Sequence, residues 1–461
     1  MSSQIDAKTF LNREAAALRT RVDRLVPFSL TMTMAPAANI SNEALAAIEA
    51  HMKTSRRRLR QAIEQFRGWL SSPAGDTASA AEAQRRFMIL KLLFNSILSH
   101  FDVFADVLVQ RSESGTGVWI SGLDDMAADA MRVQGASIDP PPVVCYLDRG
   151  HGAAIRRARA RLPGGGINPV AVIRVPRERM VGQGIGASLV HEVGHQTAAL
   201  LDLVNPLRLA FQKKQRTADL ARRAAWICWE RWVSEIVADL WAVGKLGPTA
   251  TFGLMGVVSL PKAFVFHIDL NDPHPFPWIR VMASLSIGQA LHPHPQWSRI
   301  ARMWEAMYPV QRLPASTVAL ISILRATLAE LSHELLNHQP QILGGRTLGD
   351  ALRADQRSPD QVAATWRRFQ KQTDQLHTLP PTLAMAAIGQ ARTSGQISPG
   401  TESKLISKLL LEWAVKSSLD SAYQSVRCRR NVVAPVNRVP FVAAGPDRAA
   451  IGFLSQSRVT L

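Results

Sequence analysis

Cysteine is nearly missing from this chain of 461 residues: Cys145, Cys228 and Cys428 stand far apart and form no CxxC pair. That excludes a disulfide framework and suits a reducing compartment. Long apolar runs are also missing. The best, TATFGLMGVVSLPKAFVF from Thr249 to Phe266, is broken by Pro261 and Lys262. It is too short to cross a bilayer, so it reads as buried chain and no membrane span is expected. The opening MSSQIDAKTFLNREAAALRT has no apolar leader segment, so the expectation is a soluble, cytoplasmic protein. Acidic residues are outnumbered 36 to 54, for a net charge of +18. The excess permits contact with nucleic acid, acidic membranes or acidic proteins and selects none of them. There is no internal repeat. The glycines of GQGIG (Gly182, Gly184, Gly186) have the wrong spacing for a dinucleotide-binding GxGxxG turn.

What is present is globular material, 47% hydrophobic and 20% charged, enough for more than one domain. Helix formers with apolar residues every three or four positions fill Asn42 to Leu70 and Ala81 to Arg111. The run RRRLR at Arg56 to Arg60 can grip phosphates, but no aromatic platform accompanies it, and it reads as a solvated helix face. From about Pro140 the texture changes. PPVVCYLD and VAVIRVP read as strands, GAAIRRARARL between them as a helix, and GGGINP as a turn. An apolar helix follows and is expected to end before Pro206. A polar linker and a long helix from about Thr217 to Lys245 come next, and the chain is helical again after about Pro309. The expected fold is mainly α with a small β-sheet (α+β). The expected regions are an N-terminal helical region (1–135), a central domain with the strands and the apolar helix (136–310), a C-terminal helical region (311–427) and an extended tail (428–461).

The apolar helix carries HEVGH, His191 to His195. Positions i and i+4 share a helix face, so both imidazoles can address one metal ion, and zinc suits them. Glu192, one position on, leans to the side, where it reaches a metal-bound water without ligating the metal. Chance produces an HExxH in roughly one such sequence in a hundred, and burying two unpaired histidines with a glutamate is costly. Gly194 costs helix stability, which suggests close approach by another element or by substrate. A catalytic zinc needs a third protein ligand. The segment WERWVSEIVADLWAVGKLGP offers Glu235 and Asp239 at i, i+4 in apolar surroundings. Glu235 is the candidate ligand, and Asp239 can accept the outward N–H of a zinc-bound histidine. Glu230 is the competing ligand.

HEVGH followed by SEIVAD resembles the gluzincins, the zinc metallopeptidases that include the thermolysin and CAAX-prenyl-protease types. The match runs from about Val170 to Pro248, and His195 and Glu235 lie 40 residues apart, wider than in thermolysin-like enzymes. The resemblance implies a zincin-like metallopeptidase domain at 136–310 and Zn2+ held by His191, His195 and Glu235, with Glu192 as general base and Asp239 behind a zinc-bound histidine. It also implies that the strand Val170 to Val175 binds substrate backbone by strand addition. A His, Tyr or Arg usually stabilises the oxyanion in this family. His267, His274, Arg280 and Tyr308 are the candidates, and His274 is the first choice. The expected function is zinc-dependent hydrolysis of a peptide or protein substrate. The alternatives are a non-catalytic zinc-containing binding or scaffold protein, and a regulatory protease associated with nucleic acid. HPHP at His292 to Pro295 reads as a loop, and the tail NRVPFVAAGP (437–446) as a surface segment or a strand laid into the cleft.

Overall fold

The helical pattern of the first third is built into three long helices, α1 (Ser2–Asp23), α2 (Asn42–Leu70) and α3 (Ala80–Arg111). In α2, Ala44, Ile48, Met52, Ser55, Leu59, Ile63, Phe66 and Leu70 are buried, in steps of three or four residues along one face. Ser41 and Ser79 cap α2 and α3 by accepting from the backbone N–H groups of Ala44 and Glu82. The arginines of RRRLR fall on the outer side of α2, where Arg60 pairs with Asp23 at 2.6 Å. This computed structural model describes residues 2–113, 115–136, 138–149, 152–162, 165–176 and 182–432.

Helix α4 (Thr116–Met131) leads into a mixed three-stranded sheet of β1 (Val143–Asp148), β2 (Ala154–Arg156) and β3 (Ala171–Pro176), ordered β1-β3-β2. β1 runs parallel to β3 with Val143 opposite Ala171, and β2 runs antiparallel to β3 with Ile155 opposite Ile173. Both faces of β1 and β3 are covered along most of their length, so their sequences are mainly apolar instead of alternating, with Tyr146 and Arg174 half-buried and Asp148 exposed at the strand end. Val144 and Val172 face the core of the N-terminal helices. Cys145, Ile173 and Val175 face a second, larger core.

That larger core gathers α5 (Gln183–Leu200), α6 (Val204–Thr217), α7 (Leu220–Leu246), α8 (Pro248–Val258) and α9 (Pro277–Leu291). The helices α10 (Pro295–Met307), α11 (Ala315–Leu336), α12 (Pro359–Phe369) and α13 (Pro381–Thr393) complete it, and α14 (Pro399–Val432) follows. The architecture is mainly α with a small β-sheet, as expected. The description up to Ser418 concerns one compact unit, and Leu419 begins a second, whose described part is helix as far as Val432.

Three local expectations are corrected. GAAIRRARARL contains β2, not a helix, because Ile155 and its neighbours pair with β3 and Arg159 then turns with φ 63°. The polar linker after the HEVGH helix is α6, whose first turn accepts Pro206 because the N–H lost there has no intrahelical partner. The last helix continues past residue 428 to Val432, and the rest of the expected tail, including 437–446, lies outside the described residues. Among the described residues two helices, Ala80–Arg111 and Ala315–Leu336, are long and apolar enough to cross a membrane. Each contributes buried residues to a core, such as Phe94 and Phe104 from the first and Leu324 and Leu331 from the second.

Candidate metal centre

Helices α5 and α7 cross where α5 has no side chain. A Cβ added at Gly194 would lie 2.8 Å from the Cα of Ala238 and 2.9 Å from its carbonyl oxygen. The glycine therefore brings the backbones together, the close approach its sequence position suggested. One turn to either side, the HEVGH face of α5 looks at Glu235 and Asp239 of α7. Nε2 of His191 lies 3.2 Å from Oε2 of Glu235, and Nε2 of His195 lies 3.4 Å from Oε1. One donor atom from each of His191, His195 and Glu235 falls within 4.8 Å of the others. Nδ1 of His191 sits 2.8 Å from Oδ1 of Asp239, the outward contact expected of a supporting carboxylate. Glu230, the competing ligand, is elsewhere, 3.4 Å from Arg208 and accepting from Gln212 at 3.3 Å.

Arg280, at the start of α9, is buried behind this set. Its Nε donates to Asp239 Oδ2 at 2.7 Å and its NH2 to Oδ1 at 2.9 Å. It thus forks onto the carboxylate that orients His191, and the same NH2 lies 3.5 Å from Oε2 of Glu235 and 3.4 Å from the His191 ring. Sequence reasoning offered Arg280 as an oxyanion donor and missed this role. The signal available was an otherwise unexplained arginine in an apolar helix start. His274 stands at the mouth, half-exposed, with Nε2 3.4 Å from Oε2 of Glu235 and Nδ1 2.7 Å from Oδ1 of Asp272. Tyr308 donates its hydroxyl to the carbonyl of Leu260, and His267 lies exposed. Neither lines the pocket over the histidines. That pocket, of about 180 Å³, is bordered by His191, Glu192, His274 and Arg280 together with Gly152 and Ala153.

The electrostatics are those of a buried cluster with an excess of carboxylates. Burial alone would push His191 down, but Asp239 and Glu235 beside it raise its pKa to about 9. Burial and the neighbouring His191 charge lower His195 to about 4. Glu235, against the pull of burial, is held at about 2 by His191, His195 and Arg280, and Asp239 lies well below the ordinary carboxylate range for the same reasons. Glu192 is raised, by burial first and by the Glu235 charge.

The donor set tests well for a divalent cation. Oε2 of Glu235 is buried without a well-formed hydrogen bond, with only nitrogens of His191, His274 and Arg280 at 3.2–3.5 Å around it, which leaves a lone pair for a cation. Two imidazoles and one carboxylate are the ligands of open, catalytic zinc sites. One further expectation is corrected. The strand Val170 to Val175 is β3, the central strand, with β1 and β2 on its two sides, so it has no edge to offer. Among the described residues β2 is paired on one side only, and Gly152 and Ala153, just before it, line the pocket. Comparisons with protein-family models, curated proteins and solved structures give no match to this chain.

Proposed function

We propose that this chain is a zinc-dependent peptidase of the gluzincin type, with Zn2+ held by His191, His195 and Glu235. The reading is supported above all by the convergence of two nitrogens of one helix and a carboxylate of the next on one small volume. An acid without a ligating role, Glu192, borders the pocket next to His191. When bound, zinc supplies Lewis acidity and lowers the pKa of water towards about 7. Glu192 takes a proton from the attacking water and delivers it to the leaving amine. Its raised pKa suits both transfers, because a base too weakly basic would not accept the proton. His274 faces the pocket from the rim and donates to the oxyanion of the tetrahedral intermediate. Asp239, braced by Arg280, fixes the ring and tautomer of His191. The edge of β2 takes the extended backbone of the substrate.

Glu192→Gln tests the reading against a zinc site kept only for stability. Gln is nearly isosteric and Glu192 is not a ligand, so zinc content and melting temperature should be unchanged. Cleavage of a peptide library should fall by about 10²–10⁴-fold or more, since one carboxylate serves both transfers. Undiminished cleavage, or zinc lost with the substitution, would contradict the role given to Glu192.

A further inference from the structure

At four described glycines an added Cβ would meet nothing within 4 Å and the backbone is not left-handed: Gly68, Gly152, Gly184 and Gly256. Gly68 is on the exposed side of α2. The other three line one groove or its entrance. Glycine is a poor helix former, yet Gly184 lies in the first turn of α5 and Gly256 inside α8. Their neighbours show the contrast. Gly182 needs its φ of 69°, Gly186 packs against Met385, and Gly253 lets α8 touch α5 at Ala187. Gly184 and Gly256 have no such structural duty. What their missing side chains leave is space.

That space is a groove of about 540 Å³, walled by Val175, Ile185, Phe252, Val257 and Leu260. Gly152, Ser188 and Val257 line both this groove and the pocket over His191 and Glu192, so the two are continuous. At the far end Glu402 is buried and already engaged. It accepts from the N–H of Gln183 at 2.9 Å and lies 3.6 Å from Nε of Arg392. The larger walls are therefore apolar, the polar groups on the lining are Gln183, Ser188, Ser259 and the Arg392–Glu402 pair, and Glu402 is engaged without being free to bind. A volume of this size within apolar walls suits a bulky apolar group.

We propose that the groove receives the substrate residue next to the scissile bond and selects a large apolar side chain there, with Gly184 and Gly256 setting the specificity. This rests on the peptidase reading. The test uses zinc-loaded Gly184→Leu and Gly256→Leu, each adding a side chain into the groove from a different helix. The readout is the ratio of kcat/KM for peptides with Phe or Leu, over Ala, on either side of the cleaved bond. Wild type should favour the large residue on one side, and either variant should lower that ratio about tenfold or more, the scale at which a filled pocket discriminates. If a Leu variant loses its thermal transition, the Ala variants, adding one methyl to open space, carry the test with a drop of about threefold. Cleavage with an unchanged ratio in folded variants would overturn the groove and leave the peptidase standing. Absence of cleavage by the zinc-loaded wild type would overturn the peptidase. Binding of dansyl-labelled Phe and Ala peptides to Glu192→Gln then decides the groove separately. A Phe preference weakened about tenfold by Gly256→Leu supports it, and a preference that is absent or unaffected sinks it.

Discussion

Glu235 and Glu230 share one helix five positions apart, which turns them to different faces. Only Glu235 meets the histidines, while Glu230 is held by Arg208 and Gln212. Glu235→Ala should therefore strip zinc from the purified protein and Glu230→Ala should not, as read by elemental analysis after dialysis. The reverse result would displace the ligand assignment. Asp239→Asn should weaken zinc binding or turnover by roughly 10–100-fold. The pH dependence of zinc binding follows from the same groups. Without metal, His191 with a pKa of about 9 carries a proton at neutral pH, whereas His195 at about 4 and Glu235 at about 2 have already lost theirs. A ligating imidazole must be neutral, so below the titration of zinc-bound water binding releases one proton, and affinity should rise about tenfold per pH unit between about pH 5.5 and 6.5. Calorimetry at about pH 6 in buffers of different ionisation enthalpy measures that proton, and a count near zero or two at that pH contradicts the assignment. For the metal-free protein the same proton works the other way. Its folded pKa lies above the ordinary 6.5, so it stabilises the fold fully below about pH 6.5 and that contribution is lost as pH rises through about 9.

On the scale of whole elements, the site depends on two helices meeting at Gly194. An alanine there would ordinarily favour a helix by about 1 kcal/mol. Here its methyl would press on Ala238 backbone at 2.8 Å and on the Cβ of Trp241 at 3.0 Å, and overpacking of this kind costs about 1–3 kcal/mol. Gly194→Ala should thus lower the urea midpoint and weaken zinc binding together, because the histidines ride on the displaced helix. A variant as stable as wild type would show that the crossing is loose. The sequence made this crossing legible at His191, His195, Glu235 and Asp239, since i, i+4 spacing on a helix is a local property. The contact of Arg280 with Asp239 was not legible because the two sit on different helices, and nothing local ties an arginine to a carboxylate 41 positions away. β2 was missed for a similar reason. Three residues within an arginine-rich stretch become a strand only through β3, and the edge they give the sheet reverses which strand is free. Pro206 misled because a proline that ends one helix is equally at home in the first turn of the next.

Across the whole unit up to Ser418, the sheet is the partition between two cores, with Val144 and Val172 on one side and Cys145 and Ile173 on the other. Two neighbours at the end of α3 tie the partition together: Gln110 donates to the Leu147 carbonyl of β1 and accepts from its N–H, both at 2.7 Å, and Arg111 adds a charge. Arg111, the last residue of α3, is fully buried, with NH1 2.9 Å from Oδ2 of Asp124 on α4 and NH2 donating to the Cys145 carbonyl of β1 at 2.6 Å. Asp124 in turn accepts from the Cys145 N–H at 2.7 Å. The N-terminal helices, α4 and the strand that begins the sheet are thus joined through these hydrogen bonds and one buried ion pair. Such a pair adds little net stability over apolar residues, but breaking one half leaves a charge without its partner and costs about 3–5 kcal/mol. Arg111→Met, close in length, should show that loss in urea unfolding. Burial already holds the Asp124 carboxyl above its ordinary range with the guanidinium present, and removing the cation raises it further. A folded-state pKa raised above the unfolded one lowers stability as pH rises, so the deficit of Arg111→Met should be larger at pH 8 than at pH 5. Arg111→Met with Asp124→Leu removes both charges and should recover part of the loss, although the Cys145 N–H then lacks its acceptor. A single variant costing under about 1 kcal/mol at both pH values would mean that water reaches Asp124, and that the junction is held by apolar contact and by the two hydrogen bonds of Gln110 to Leu147.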